Sequence, residues 1–193
     1  MILMLNLIFL LFVSTNQAED ILEPCVSSIV SELRKIKTLE AEIQELRKQI
    51  TEQPKVAFWA IPSSDTNAIG PFQEYQTVVY KSALTNIGNA YDTETGIFTA
   101  PVRGVYYFNI VVFNANSLAT GVHIMKNGAR VAAITDNVPG QDSEDTASNS
   151  VTLLLEKGDQ IYNHLLVNRK IYTDSGNRNS FSGHLLYAMP KTD

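Results

Sequence analysis

The residues that could do chemistry are few, and their spacing limits what they could do. The segment DNVPGQDSEDTASN places Asp136, Asp142, Glu144 and Asp145 on one stretch. Carboxylates gathered on a loop can supply oxygens to calcium, which takes about six to eight of them. The spacing matches no EF-hand, and acidic loops are more often simply solvated. His123, His164 and His184 lie in strand-like runs beside Leu, Val or Tyr, a setting that reads as strand histidines rather than as a ligand set. Ser180 and Ser182 stand close to His184 in sequence, but a triad also needs an orienting acid and an oxyanion site, and nothing points to either. There is no Gly-x-Ser-x-Gly elbow, His-Glu-x-x-His, Cys-x-x-Cys or P-loop. The residue inventory therefore argues against an enzyme. Arg169, Lys170 and Arg178 form a mild basic patch, which is either a solvated loop or a contact for an anionic sugar or lipid head group.

The elements that would carry these residues divide the chain in two. The formal net charge of −5 lacks the basic stripe that phosphate binding requires, which argues against a nucleic-acid partner. Residues 1–18 open with a short apolar run from Ile2 to Val13, broken only by Asn6. That run is too short for a membrane span of about 20 residues and has the size of a secretory h-region. Cleavage after Ala18 is expected, giving a secreted, extracellular protein with no membrane span. In that compartment the lone Cys25 has no partner within its own chain and is expected to pair between chains.

Residues 19–54 read as a coiled-coil oligomerisation segment. Leu22, Ile29, Ile36, Ile43 and Ile50 recur every seven residues, with Val26 and Leu33 completing the seam in the first half. In the second half the companions shift to Leu39 and Leu46, while Glu40 and Arg47 occupy the positions a strict register would make apolar. The seam leaves the number of strands open. Pro24 is placed in a first helical turn and Pro54 at the helix stop. Parallel copies would bring the Cys25 thiols together, and in a trimer the thiol left over is free to join a second trimer into a higher oligomer.

From Lys55 to Asp193 the period changes to two. Short apolar runs are separated by Thr95-Gly96, Arg103-Gly104, Asn127-Gly128, Pro139-Gly140, Lys157-Gly158 and Ser175-Gly176. Many short strands with regular turns predict an all-β sandwich or barrel, and Asn127-Gly128 predicts a tight hairpin. The run VYYFNIVVF is apolar on both faces. Tyr106, Phe108, Ile110 and Val112 point one way, and Val105, Tyr107, Asn109, Val111 and Phe113 the other. One face can fill a core. The other needs a second cover, and self-association supplies it. Tyr106, Tyr107, Phe108, Phe113, Tyr162 and Phe181 are read as core and interface residues, and Trp59 as part of a first strand.

Asn86, Tyr91, Phe98, Gly104, Tyr106 and Phe108 stand at the spacing of a known signature, and HIMKNG, TASNSVTLLLEKGDQIY and SFSGHLLY fit its later strands. The stretch from about 55 to 189 closely resembles the C1q-type globular domain, with Tyr80 where Phe is usual and Ile110 where an aromatic is usual. The resemblance implies a ten-stranded jelly roll, of the fold shared with tumour necrosis factor ligands, here preceded by a short α-helical coiled coil. It implies a homotrimer, with Tyr91, Phe98, Tyr106, Tyr107, Phe108, Phe113 and Phe181 as core and trimer aromatics, and calcium near the trimer apex. The function it implies is multivalent recognition of glycans or of microbial or cell-surface ligands, in innate immunity. The alternative is a cerebellin-like or adipokine-like ligand that clusters a cell-surface receptor. No Gly-X-Y triplets are present for a collagen stalk.

Overall fold

The computed structural model describes residues 2–63, 68–115, 118–140 and 144–190, apart from the side chains of 2–3, 5–23 and 25. It separates into two units, Met1–Gln53 and Pro54–Asp193.

The first unit is one helix, α1 (Ile2–Glu52). It starts earlier than the periodicity predicts, so Pro24 lies inside the helix rather than in its first turn. An internal proline removes one backbone donor and crowds the preceding turn. Val26, Ile29, Leu33, Ile36, Leu39, Ile43 and Leu46 are exposed by about half, and Ile50 by two thirds. A helix carrying such a stripe lacks the partner surface that gives most helices their stability.

The second unit is built from antiparallel strands. Its elements are β1 (Ala57–Ile61), β2 (Ala68–Ile69), β3 (Gln76–Thr77), β4 (Ser82–Ile87), β5 (Tyr91–Asp92), β6 (Ile97–Thr99), β7 (Gly104–Asn114), β8 (Thr120–Lys126), β9 (Ala129–Asp136), β10 (Asp145–Leu155), β11 (Gln160–Leu165), β12 (Ile171–Tyr172) and β13 (Ser180–Ala188). One sheet runs β10-β7-β13-β1-β4. The other runs β5-β6-β11-β8-β9, with β3 added at β11, and β12 pairs with β2. The jelly-roll sandwich expected from the sequence is present, with additional short strands: four of the described strands have only two residues each.

The core lies between the two sheets. Tyr106, Phe108, Ile110 and Val112 of β7 are fully buried, whereas Val105, Tyr107, Asn109 and Val111 are half-buried. Phe58 of β1 anchors an aromatic cluster. Its ring stacks on Tyr91 at 4.8 Å and on Phe98 at 5.4 Å, and meets Phe181 edge-on at 4.9 Å. Gly183 of β13 pairs with Phe108 and leaves the space these rings occupy: a Cβ there would lie 2.5 Å from the Phe108 ring and 2.8 Å from that of Phe58.

The signature residues Asn86 and Tyr91 form a clasp at the edge of this cluster. The Asn86 amide donates to the Tyr91 carbonyl at 2.8 Å and accepts from the Tyr91 N–H at 3.3 Å. The Tyr91 hydroxyl in turn donates to the Tyr80 carbonyl and accepts from its N–H, both at 3.2 Å. Burial pushes the Tyr91 and Tyr80 phenols far above their ordinary range, so both stay neutral. Substituting Asn86 by alanine strands two backbone groups of Tyr91 at once. It is expected to cost about 1–3 kcal/mol, read as a lowered denaturant midpoint with an unchanged slope.

The Asn127-Gly128 hairpin forms as predicted. Both residues have positive φ, 49° and 87°, as a two-residue turn between β8 and β9 requires. Arg103-Gly104 is not a turn of this kind, because Gly104 opens β7. Its missing Cβ makes room for Leu185 and for the Tyr187 backbone, each 2.7 Å from where a Cβ would stand.

Candidate functional site

Among the described residues of the second unit, none covers the outer face of the β10-β7-β13-β1-β4 sheet around Tyr107. Strand register sets its rows. Leu154, Val105 and Tyr187 form one row; Thr152, Tyr107, His184, Ala57 and Ile87 form the next; Ser150, Asn109, Ser182, Trp59 and Thr85 form a third. Leu154, Leu186, Tyr187 and Ile87 are exposed by 46–58%, and Leu84, at the bulge in β4, by 64%. Exposed large apolar side chains gathered on one sheet face mark a surface for association. Tyr107 sits mid-face, its ring 5.4 Å from His184. The Ser182 hydroxyl donates to the Asn109 carbonyl, so Ser182 and His184 share a face without a nucleophile–base contact.

The residues singled out from sequence separate in the structure. Tyr91, Phe98, Tyr106, Phe108 and Phe181 are buried core residues. Tyr107 alone of the aromatic set lies on the open face. Phe113, on the same side of β7 as Tyr107, is buried: Tyr172 meets it edge-on at 5.8 Å and the Arg178 guanidinium lies 3.5 Å above its ring. Arg178 is also paired with Asp174 and, at 3.4 Å, with Glu144, so it does not stand with Arg169 and Lys170 as an unpaired patch. Hydrogen bonding to Arg178 holds the Asp174 carboxyl below the usual carboxylate range.

Of the carboxylates considered for calcium, Asp142 lies outside the described residues. Asp136 accepts from the Asn137 N–H, and Glu144 is engaged by Arg178. Among the described residues no three His, Cys, Asp or Glu side chains come together as a metal site. The Cys25 side chain is likewise outside the description.

Three features escaped the sequence reading: the apolar contributions of β4, β10 and the end of β13 to the open face, the Asn86–Tyr91 clasp, and the direct pairing of His123 with His164 across β8 and β11. Burial lowers the pKa of both histidines below the ordinary value of 6.5, with Arg130 and His164 adding to the effect on His123. Fewer protons bind the folded state, so the stability this pair contributes is complete above 6.5 and is lost as pH falls through that value towards the folded pKa. A double His123→Gln, His164→Gln variant is expected to flatten the fall in unfolding free energy between pH 7 and 5, measured by denaturation across that range.

A model described as the C1q domain matches residues 57–186. The chain belongs to the C1q domain family. Its fold is that of the globular domain of zebrafish complement 1qA, at 21% identity and a TM-score of 0.56 over 70% of this chain and 99% of that one. Murine APRIL is similar at 12% identity and 0.54, covering 68% of this chain and 99% of its own. The TNF protein Eiger of S. frugiperda is similar at 11% and 0.54, covering 73% and 96%. C1q-domain proteins are typically extracellular, and they form trimers that bind ligands multivalently in a fold family that is not enzymatic. Among the described residues of this member, no helix is long and apolar enough to cross a membrane.

Proposed function

We propose that this C1q-domain chain is a secreted homotrimer that recognises glycans or microbial and cell-surface ligands by avidity, in innate immunity. The observation that carries the reading is the uncovered apolar face around Tyr107, which a trimer of the family's kind would bury. The exposed heptad stripe of α1 supports it independently, since copies that gather through the domain can also close the stripe. In this reading residues 1–18 are removed as a signal peptide, residues 19–54 form a coiled coil, and Cys25 links chains. Three weak sites held together raise avidity by about 10²–10⁴ over one site. The test is a glycan array and a bacterial agglutination assay with the purified mature chain. Saturable glycan binding that weakens at least a hundredfold in a monomeric variant is the expected result. A silent array with saturable binding to a protein receptor on cells would overturn the glycan reading in favour of a signalling ligand.

A further inference from the structure

We propose that His123 and His164 form a two-imidazole site for a transition-metal ion of the Zn²⁺ or Cu²⁺ class, on the outer face of the second sheet. The two residues are direct partners in the β8–β11 register. Gly121 and Leu166 are hydrogen-bonded in the same register, and pairs two residues apart share that character. Their Cα atoms are therefore about 5.5 Å apart. Val122, Ile124, Asn163 and Leu165, the alternating neighbours, are fully buried, so both imidazoles leave the sheet on its outer side. The row continues with Ala133 of β9 beside His123 and Thr77 of β3 beside His164. Two short side chains thus flank the imidazoles. The Tyr75 ring lies 5.9 Å from His123 and 6.3 Å from His164, within 26° of both planes, and Tyr162 stands 4.9 Å from His164.

Two further observations favour a metal over an ornamental pair. Neither imidazole is tied up in a hydrogen bond among the described residues. Burial also keeps both rings towards the neutral form, which is the form that ligates. Imidazole nitrogen suits Zn²⁺ and Cu²⁺, with Cu²⁺ held more tightly. Two protein ligands leave the remaining positions to water or to a donor from a bound partner. Arg130, paired with Met125 one row away, acts on His123 as a repelling charge. The site is independent of the open face around Tyr107, which belongs to the other sheet.

The test is calorimetric titration of the tag-free full chain with Zn²⁺, and with Cu²⁺, after removal of metal by a chelator. One ion per chain is expected at micromolar concentration. His123→Gln and His164→Gln should each weaken it at least tenfold, His184→Gln should leave it unchanged, and Arg130→Gln should tighten it severalfold. Melting in the presence of chelator confirms that each variant folds. The proposal is overturned by an absence of saturable binding below millimolar Zn²⁺ and Cu²⁺, by binding that survives loss of either paired histidine, or by binding that depends on His184.

Discussion

Replacing Gly183 with alanine is expected to lower the melting temperature by about 4–12 °C, and replacing it with valine to prevent recovery of folded protein. The added Cβ would meet Phe108 at 2.5 Å and Phe58 at 2.8 Å, both closer than real carbon contacts allow. These rings cannot step aside. Phe108 is fully buried between Phe98 at 5.1 Å and Phe181 at 6.2 Å, and Phe58 is held by Tyr91 and Phe181. β13 cannot retreat either, because Gly183 is paired on both sides, to Phe108 of β7 and Phe58 of β1. Overpacking a full core costs about 1–3 kcal/mol and more where nothing relaxes, and about 1 kcal/mol moves the melting temperature by 2–8 °C in domains of this general size. Gly121→Ala is the control, since its Cβ would find ordinary contacts at 3.4 Å and beyond. The comparison is made at one protein concentration, because association shifts apparent stability. A Gly183→Ala protein that melts within 2 °C of the parent would show that the cluster is not packed as described.

The residues that could be read from sequence are those whose role depends on near neighbours. Tyr106, Phe108, Ile110 and Val112 alternate with Val105, Tyr107, Asn109 and Val111, and a period of two is enough to assign them to opposite faces. Asn127-Gly128 reports its own backbone geometry. Phe113 follows the same alternation, but what covers it is not local: at that end of β7, Tyr172 and Arg178 come from about 60 residues away. The same distance hides Gly183, whose glycine matters only once Phe108 is known to lie opposite. It also hides the histidines: His123 and His164 are ordinary strand residues until register places one beside the other. Two-residue strands such as β2, β3 and β12 have too few positions to show any period. Pro24 suggested a helix start because proline tolerates a first turn, yet a single lost hydrogen bond does not end a helix of this length. In the carboxylate loop, Glu144 is drawn to Arg178 and Asp136 accepts from the N–H of Asn137, contacts that closeness along the chain does not announce.

Substituting Tyr107 by glutamate should leave the domain folded and raise the dissociation constant of its trimer at least a thousandfold, a change of about 4 kcal/mol. Tyr107 is half-buried on the outer side of β7, with its backbone paired to Thr152 and His184, so a glutamate there has water to reach in the single chain. Its fully buried neighbours Tyr106 and Phe108 face the opposite way and keep the core. Association changes the balance. Val105 lies next to Tyr107 on the same face of β7, with Leu154 and Tyr187 beside Val105, while Thr152 and His184 flank Tyr107 in its own row; covering that surface would strip from a carboxylate the water that these few polar groups cannot replace. Burying an unpaired charge is among the largest single penalties available, and the symmetry of a trimer imposes it three times while bringing like charges towards one another. Thr152→Glu, at the edge of the same row, is expected to have a smaller effect because an edge position can stay wet. The helix must be tested alongside, since its exposed seam offers a second means of association. Ile36→Glu with Ile43→Glu removes that seam at two consecutive heptads. Sedimentation of the full chain should then show assembly weakened by either change and the 21.4 kDa single chain when both are present. If Tyr107→Glu with an intact far-ultraviolet spectrum sediments as the parent does, in the background lacking the helical seam, the sheet face is not what holds the copies together.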